Sequence, residues 1–234
     1  MVVILFYFFM FAVILAAGRG VRMGDLTTSV PKPMISFRGK PLLEHTFSAL
    51  PLCVTDVVLV VGYLHQVIEQ YFGDFYGGRR VHYVVQKNLN GTGGAVLLAR
   101  DFVKDSSFLV LMGDDLYCSD DLLFLSVRAN SVMGFYCDPV PSRFDMWSIE
   151  NNNPSVVKDL VSADGVVAGF ANVGAYHLSM DYFSFSPVVL PSGEFGLPQT
   201  LMAGCASGGL YFVAASHWSP VGTVEELLFA QNNW

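Results

Sequence analysis

Short apolar runs alternate with helix-like segments through the first half of the chain, and this alternation restricts the fold more than any other feature. The apolar runs cover residues 11–16, 56–61, 81–85 and 108–112, and the helix-like segments cover residues 42–50, 64–72 and 92–103. Alternating strands and helices form βαβ units with right-handed crossovers and a parallel sheet. Charged residues make up only 14% of the 234 residues, which favours strands buried on both faces. The pattern predicts a mostly parallel sheet in which all four runs can be central strands.

The pattern changes from residue 132 onward. Strand-like stretches at 133–136, 156–161 and 172–177 are separated by the turn signals NNNP and DG, and a last helix-like segment covers 224–231. The sequence contains no repeat, low-complexity tract or linker. We therefore expect a single mixed α/β domain over residues 10–234, with a Rossmann-like sheet flanked by helices, and with two halves at 10–130 and 131–234.

The first seventeen residues carry no charge and at first look like a signal peptide or a membrane anchor. They lack a basic start, are marginal for the roughly 20 residues that span a bilayer, and end in the first predicted strand. We expect no membrane insertion and a cytoplasmic protein that starts at Met10, with residues 1–9 as an extension. The pI near 5.0 argues against nucleic acid as a partner. The four cysteines are widely spaced and are interpreted as reduced thiols.

The first predicted strand runs into a loop of small residues that is followed by basic ones. Ala16, Ala17, Gly18 and Gly20 leave room for backbone N–H groups to approach an anion. Between residues 18 and 40, five basic residues stand against one acidic residue, an excess of +4 in a chain of net charge −7. This excess predicts an anionic ligand, and a small, glycine-rich, basic loop followed by Lys32 suits a triphosphate. A dinucleotide fingerprint is excluded because Met23 stands where its third glycine belongs, and no lysine follows a glycine as a Walker A loop requires.

The loop and the tripeptide P-K-P at 31–33 together resemble the signature of the sugar 1-phosphate nucleotidyltransferases, L-A-A-G-x-G-x-R-M followed by P-K-P. The resemblance extends over nearly the whole chain and implies the nucleotide-diphospho-sugar transferase fold, with a nucleotide half at 10–130 and a sugar half at 131–234. It implies that the nucleotide lies against five loop residues, Leu15, Ala16, Ala17, Gly18 and Gly20. It also implies catalytic roles for Arg22 and Lys32.

A second motif, Q-x-x-x-x-G-T-G, stands at the end of the third predicted strand. Ligands lie beyond the carboxyl ends of the strands in open α/β sheets, so this motif is expected to face the same crevice. Gln86 offers both a donor and an acceptor, which suit the imide edge of a pyrimidine. The segment resembles the base-recognition segment of the uridylyltransferases that make UDP-N-acetylglucosamine, which implies UTP as substrate and base contacts from Gly91 and Thr92.

The motif MGDD follows the fourth predicted strand. A carboxylate fixed at a strand end suits Mg²⁺, which binds one or two carboxylates together with substrate phosphates. The resemblance makes Asp114 the metal ligand and places Gly113 at the sugar, whereas Asp115 is interpreted as a helix cap or a solvated neighbour. Further along, Asn172 in N-x-G-x-Y and Glu194 in G-E-x-x-L resemble the family's sugar-contacting segments, and both side chains can bind hydroxyl groups.

Two segments depart from the family pattern. The segment HWSPVGT resembles W-x-D-x-G-T, whose aspartate is the family's second metal ligand, but Pro220 stands at that position. The ion is then held either by Asp114, phosphates and water alone, or with the help of Glu225 or His217. The acidic E-K-P segment that precedes the family's sugar site is also absent.

The resemblance implies that a sugar 1-phosphate attacks the α-phosphorus of a nucleoside triphosphate, which gives an NDP-sugar and pyrophosphate. Since the nucleophile is already an anion, the protein has to supply alignment and positive charge rather than a general base. Arg22 is expected to hold the β- and γ-phosphates, and Lys32 is expected to bridge the α-phosphate and the sugar phosphate.

Several alternatives stay open at this point. The nucleotide and sugar could be those of a thymidylyl- or guanylyltransferase for hexose 1-phosphates, or of a uridylyltransferase for N-acetylmuramate 1-phosphate. A small cytidylyltransferase of isoprenoid synthesis is disfavoured by the GTGGA segment and the W-x-x-x-G-T tail. Pro220 supports a different class, a catalytically weak homologue that binds nucleotide without turnover. The sugar and the oligomeric state, a homo-oligomer included, are also left open.

Overall fold

A central sheet of ten strands carries helices on both faces. The computed structural model describes residues 9–104, 106–151, 153–164, 167–205 and 209–234, so residues 1–8 of the predicted extension lie outside the described residues. The strands are β1 (Met10–Ala16), β2 (Ser36–Phe37), β3 (Lys40–Pro41), β4 (Val54–Val61), β5 (Phe75–Tyr76), β6 (Arg79–Val85), β7 (Phe108–Met112), β8 (Asp115–Tyr117), β9 (Ser131–Cys137), β10 (Asp145–Glu150), β11 (Asn153–Ser162), β12 (Gly169–Leu178), β13 (Val188–Val189), β14 (Phe195–Gly196), β15 (Tyr211–Ala214) and β16 (Trp218–Pro220). The helices are α1 (Leu42–Ala49), α2 (His65–Phe72), α3 (Gly91–Leu98), α4 (Ser119–Leu125), α5 (Leu197–Gly204) and α6 (Val224–Asn233). Short 3-10 segments lie at Val21–Thr27, Lys32–Met34 and Met180–Ser184.

The four strands predicted in the first half lie side by side and run in the same direction. β1 pairs with β4 on one side and with β7 on the other, and β6 follows β4. The order across the sheet is β10-β11-β15-β9-β12-β7-β1-β4-β6-β5. The second half of the chain enters this sheet through β12, which pairs antiparallel with β7. The fold is therefore mixed α/β: β6, β4, β1 and β7 form a continuous parallel block, and β9 and β15 of the second half form another parallel pair.

One of the four strands is less central than expected. The outer neighbour of β6 is β5, which pairs only with Arg79 and Arg80. Beyond that pairing Val81 is buried, His82, Tyr83 and Val84 are half-buried, and Val85 is 36% exposed. Residues 81–85 are as apolar as a central strand. How far β5 covers them is decided by residues outside that run, so the sequence of the run could not reveal it.

Side chains along the central strands alternate between two cores. Ala12 and Ile14 of β1 join the core under α1, α2 and α4, whereas Val13 joins the core under α3 and α5. This follows from strand geometry, since successive side chains point to opposite faces of a sheet. A third, smaller core joins Met23, in the loop after β1, to Val221 before α6. The loop that follows β1 is thereby packed against the C-terminal part of the chain.

Some elements differ from the sequence prediction. The third helix ends at Leu98 rather than near residue 103, because the backbone continues in i to i−3 turns through Phe102. The short strands β10, β15 and β16 were not predicted. Within the described parts of the chain, none of the helices has the length and apolar composition that a membrane crossing needs.

Candidate active site

A cavity of about 550 Å³ opens beyond the carboxyl ends of β1, β6 and β7. Twelve of the fourteen residues that the sequence singled out line this cavity, and two, Gly113 and Asn172, do not. The twelve are Leu15, Ala16, Ala17, Gly18, Gly20, Arg22, Lys32, Gln86, Gly91, Thr92, Asp114 and Glu194. The parallel sheet explains the convergence, because the carboxyl ends of neighbouring parallel strands meet at one edge.

The glycine loop is built around Lys32. The backbone at Gly20 is left-handed (φ 64°, ψ 31°), and a Cβ at this position would stand 2.7 Å from the Lys32 Cβ. The carbonyl of Gly20 accepts hydrogen bonds from Thr27 Oγ1 (3.1 Å) and from the Met23 N–H (2.9 Å). A Cβ at Gly18, in contrast, would meet no atom within 4 Å. Gly20 therefore lets the loop pass over the lysine, and Gly18 leaves open space on the cavity side.

Lys32 and Asp114 meet across the cavity floor. Lys32 is 7% exposed, and its Nζ forms an ion pair with the Asp114 carboxylate, 82 residues further along the chain. A lysine that lies beside a carboxylate and faces open space can exchange that carboxylate for a phosphate oxygen. The structure thus brings together the cation and the carboxylate that were predicted from two separate motifs.

The same geometry bears on magnesium. Within the described residues, no group of three or more His, Cys, Asp or Glu side chains is arranged to hold a metal. Mg²⁺ commonly binds through one or two carboxylates, substrate phosphates and water. Asp114 offers one carboxylate that faces the cavity. The residues therefore fit an ion that arrives with nucleotide phosphates better than an ion held by the protein alone.

Gln86 lies at the end of the cavity where the sequence predicts the base, called the base end below. This side chain is 6% exposed, and its Nε2 donates to Asn90 Oδ1 (2.9 Å) and to the Gly91 carbonyl (3.2 Å). Gly91 has φ 90°, and a Cβ there would stand 2.6 Å from the Phe195 carbonyl oxygen. A glycine at 91 is required because the β13–β14 hairpin packs directly against it. Glu194 belongs to this hairpin and lies beside Gly91, at the base end of the cavity.

A family model described as nucleotidyl transferase matches residues 11–134, more than half of the chain. The chain belongs to the nucleotidyl transferase family. The matched segment runs from β1 into β9 and holds every predicted lining residue except Glu194.

Curated relatives agree with this family assignment. The bifunctional protein GlmU of Methanococcus vannielii is 34% identical over 229 residues, which are 94% of this chain and 54% of that protein. The D-glycero-alpha-D-manno-heptose 1-phosphate guanylyltransferase of Campylobacter jejuni is 38% identical over 175 residues, which are 74% of this chain and 77% of that protein. The resemblance to sugar 1-phosphate nucleotidyltransferases is confirmed, and the chain spans about half the length of the GlmU proteins it matches.

Solved structures show the fold of the family. A UDP-glucose pyrophosphorylase from Acinetobacter baumanii has a TM-score of 0.80 at 19% identity, covering 95% of this chain and 92% of that one. A UDP-glucose pyrophosphorylase in complex with UDP-glucose also has a TM-score of 0.80, at 21% identity, covering 96% of this chain and 97% of that one. The predicted nucleotide-diphospho-sugar transferase fold is thereby confirmed.

Pro220, which stands where the family pattern has an aspartate, lies beside the MGDD motif. β16 pairs antiparallel with β8, and Pro220 stands opposite Asp115. Asp115 Oδ2 accepts a hydrogen bond of 3.1 Å from Trp218 Nε1. Removal from water and the neighbouring Asp114 carboxylate raise the pKa of Asp115 to about 7. The interpretation of Asp115 as a helix cap or a solvated neighbour was wrong, since the residue starts β8 and holds β16, which is about a hundred residues away in the sequence.

Neither substitute proposed for the missing aspartate lines the cavity. His217 is exposed, and its Nδ1 lies 3.3 Å from Ser216 Oγ. Glu225 lies in the exposed first turn of α6. The next residue, Glu226, is the one that interacts: it closes a capping box with Thr223 and forms an ion pair with Arg143. The alternative in which Glu225 or His217 completes a metal site finds no support in this geometry.

Gly113 and Asn172 are placed away from the cavity surface. The Gly113 N–H donates to the Leu15 carbonyl (2.9 Å), and this bond ties the end of β7 to the end of β1. The Asn172 side chain is occupied within β12, where its Nδ2 donates to Tyr176 Oη (2.8 Å) and its Oδ1 accepts from the Gly174 N–H (3.1 Å). Asn172 therefore has an internal role here that its motif did not reveal.

The sequence reasoning missed an apolar wall and a second arginine. Leu89, Leu190 and Phe195 complete the cavity at the base end. Arg143 comes close to Arg22, because a Cβ on Gly222 would lie within 3.4 Å of both guanidinium groups. Burial and the neighbouring Arg22 lower the pKa of Arg143. No motif marks these residues: the fold brings Leu89, Leu190 and Phe195 to the cavity lining and brings Arg143 only to the side of Arg22.

Proposed function

We propose that this chain transfers a nucleotidyl group from a nucleoside triphosphate, UTP in first place, to a sugar 1-phosphate, with release of pyrophosphate. The observation that carries this proposal is the contact between Lys32 and Asp114 in a cavity that also holds the glycine loop and Gln86. The family membership points the same way, and so does the name of the Campylobacter jejuni relative, a guanylyltransferase for a heptose 1-phosphate.

The reaction needs charge and alignment. A phosphate oxygen of the sugar 1-phosphate attacks the α-phosphorus, a new P–O bond forms, and the bond to the bridging oxygen of pyrophosphate breaks. In this proposal Lys32 exchanges its pairing with Asp114 for oxygens of the α-phosphate and the sugar phosphate. Arg22, at the edge of the cavity, holds the leaving pyrophosphate. Fixed cations in a site of this kind stabilise the charge that develops at phosphorus.

Magnesium is part of the proposal. Asp114 would hold the ion, and the ion would supply positive charge to the phosphates of the nucleotide. Gln86, Gly91 and Thr92 would contact the base, and Glu194 would bind a hydroxyl group from the base end of the cavity. The assignments of Gly113 and Asn172 to the sugar remain proposals that rest on the family resemblance alone. We further propose a cytoplasmic enzyme that supplies an activated sugar for the cell envelope, because nucleoside triphosphates are made in the cytoplasm.

Pyrophosphate release tests the proposal directly. UTP, dTTP, GTP and CTP are each combined with glucose, N-acetylglucosamine, mannose and N-acetylmuramate 1-phosphates in the presence of Mg²⁺. We expect release with a sugar 1-phosphate and none without it. Lys32→Ala should lower turnover by about 100- to 1,000-fold, in line with the loss of a transition-state charge contact. Lys40→Ala is the matched control, since Lys40 pairs with Glu44 outside the cavity.

One observation favours a second candidate. Pro220 stands at the place of the family's second carboxylate, as expected for a homologue that binds nucleotide without turnover. Such a protein would show a UTP-dependent rise in Tm and no pyrophosphate release with any pair of substrates. A Lys32→Ala variant as active as the wild type would contradict the role proposed for that lysine.

A further inference from the structure

Asn90 behaves unusually for its position in the chain. It is the N-cap residue of α3, and asparagine at an N-cap commonly accepts a hydrogen bond from an N–H of the first helical turn. The Asn90 side chain makes no such bond. Its Oδ1 instead accepts the 2.9 Å hydrogen bond from Gln86 Nε2. The side chain that could cap the helix is therefore engaged with the residue at the base end of the cavity.

The orientation of the Gln86 amide follows from its two partners. Nε2 donates to Asn90 Oδ1 and to the Gly91 carbonyl, which accounts for both amide hydrogens. The Gly91 carbonyl can only accept, so a reversed amide would bring two oxygens together. Among the described residues, Gln86 Oε1 accepts no hydrogen bond and is not one of the buried atoms that lack a partner. Since Gln86 lines the cavity, this oxygen is left for a ligand.

Asn90 is itself held in place from two sides. A Cβ at Gly94 would stand 2.1 Å from Asn90 Oδ1, so the glycine makes room for the asparagine side chain. The Asn90 carbonyl accepts a hydrogen bond of 2.7 Å from the Phe195 N–H, which ties the start of α3 to β14. The residue that orients Gln86 is thus fixed to the helix and to the hairpin that closes the base end.

We propose that Asn90 is a positioning residue that, together with the Gly91 carbonyl, holds the Gln86 amide so that Oε1 faces the base, and that this selects nucleotides whose base presents a ring N–H. The inference rests on the proposed function, because it concerns the same nucleotide pocket. Uracil, thymine and guanine carry a ring N–H at the edge in question, whereas cytosine and adenine carry a ring nitrogen with a lone pair. An acceptor that faces an acceptor leaves both groups without a partner, which rejects the second class.

Calorimetry on the full chain tests this without turnover. The dissociation constants of UTP and CTP are measured in the presence of Mg²⁺ for the wild type, Asn90→Ser, Asn90→Asp and Asn88→Ala. Serine keeps a capping residue at the start of α3 but is too short to reach Gln86. Aspartate keeps the acceptor for Gln86 Nε2. Asn88 is an exposed asparagine outside the cavity lining, so its variant serves as the matched control.

We expect the wild type to prefer UTP, and we expect Asn90→Ser to reduce the ratio of the two dissociation constants by about 3- to 10-fold, as for the loss of one hydrogen bond. Asn90→Asp and Asn88→Ala should keep the wild-type ratio. GTP and ATP provide the same comparison among purines. A wild-type ratio in Asn90→Ser, or a wild type that binds CTP as tightly as UTP, overturns the inference and leaves the proposed function standing. A wild type that binds no nucleotide overturns both.

Discussion

Replacing Gly20 with alanine tests whether the glycine loop is shaped around Lys32. The left-handed backbone at Gly20 (φ 64°) costs a residue with a side chain about 1–2 kcal/mol. The new Cβ would stand 2.7 Å from the Lys32 Cβ and 3.2 Å from Thr27 Cγ2, and relieving such overpacking costs about 1–3 kcal/mol more. We expect Gly20→Ala to lower the free energy of unfolding by about 2–5 kcal/mol, which lowers Tm by at least about 4 °C.

Activity should respond to the same change. The Lys32 Cβ cannot yield without moving the ammonium group, and a displacement near 1 Å at a reacting centre costs about 100-fold in rate. Thermal unfolding and pyrophosphate release are measured together for Gly20→Ala and for Gly18→Ala. Gly18 is the stability control, because a Cβ there meets nothing within 4 Å. If Gly20→Ala melted with the wild type and turned over at the wild-type rate, the role assigned to this glycine would be refuted.

Two further predictions concern the acidic motif and the base end. The folded-state pKa of Asp115, about 7, lies above the ordinary value of 3.8, so its contribution to stability is full below about pH 4 and is lost as pH rises through about 7. Asp115→Asn keeps an acceptor for Trp218, and its free energy of unfolding relative to that of the wild type should be higher at pH 8 than at pH 5, as measured by urea unfolding. An equal difference at both pH values would contradict this. Gly91→Ala should raise KM for UTP by about tenfold or more, because its Cβ would displace the Phe195 carbonyl. Gly193 lies in the same hairpin, but a Cβ there would meet no atom within 4 Å, so Gly193→Ala should leave KM near that of the wild type.

The sequence predicts the position of two kinds of site residue. Some lie close together in the sequence, and others follow the ends of parallel strands. The loop after β1 is local, and Gln86 and Asp114 follow strands whose carboxyl ends must meet in a parallel sheet. The βαβ pattern was therefore enough to predict that these residues surround one cavity. The same pattern gave α/β architecture and most of the strand bounds in the first half.

Residues whose surroundings come from distant parts of the chain could not be placed in this way. Asp115 was interpreted as a helix cap or a solvated neighbour because nothing near it in the sequence indicates that Trp218 would donate a hydrogen bond to it. The motif around Asn172 implied a sugar contact but did not indicate that its side chain bonds to Tyr176 and Gly174, where the register of β12 against β9 is irregular. A motif gives the residue types at a site, whereas burial and partners are decided by the tertiary fold.

The loss of the family aspartate separates two roles that the W-x-D-x-G-T segment usually combines. The scaffold role is kept: Trp218 holds Asp115, and Thr223 closes the capping box of α6 with Glu226. The ligand role is lost at Pro220, which still pairs with β8. With one carboxylate fewer to hold a metal ion, we expect more of the phosphate charge to be balanced by the protein's own cations.

The arrangement of the arginines agrees with that shift. Arg143 is held by Glu226 at the start of α6, and its guanidinium group lies near that of Arg22. Two guanidinium groups beside one carboxylate leave a net positive charge at the edge of the cavity, where the leaving pyrophosphate would lie. Lys32 pairs with Asp114 in this structure, and we expect it to add a third cation once phosphate or metal takes its place there. Of the five basic residues between 18 and 40, Arg19, Arg22 and Lys32 line the cavity, and we expect these three to balance most of the charge of a triphosphate at a site with a single metal-binding carboxylate.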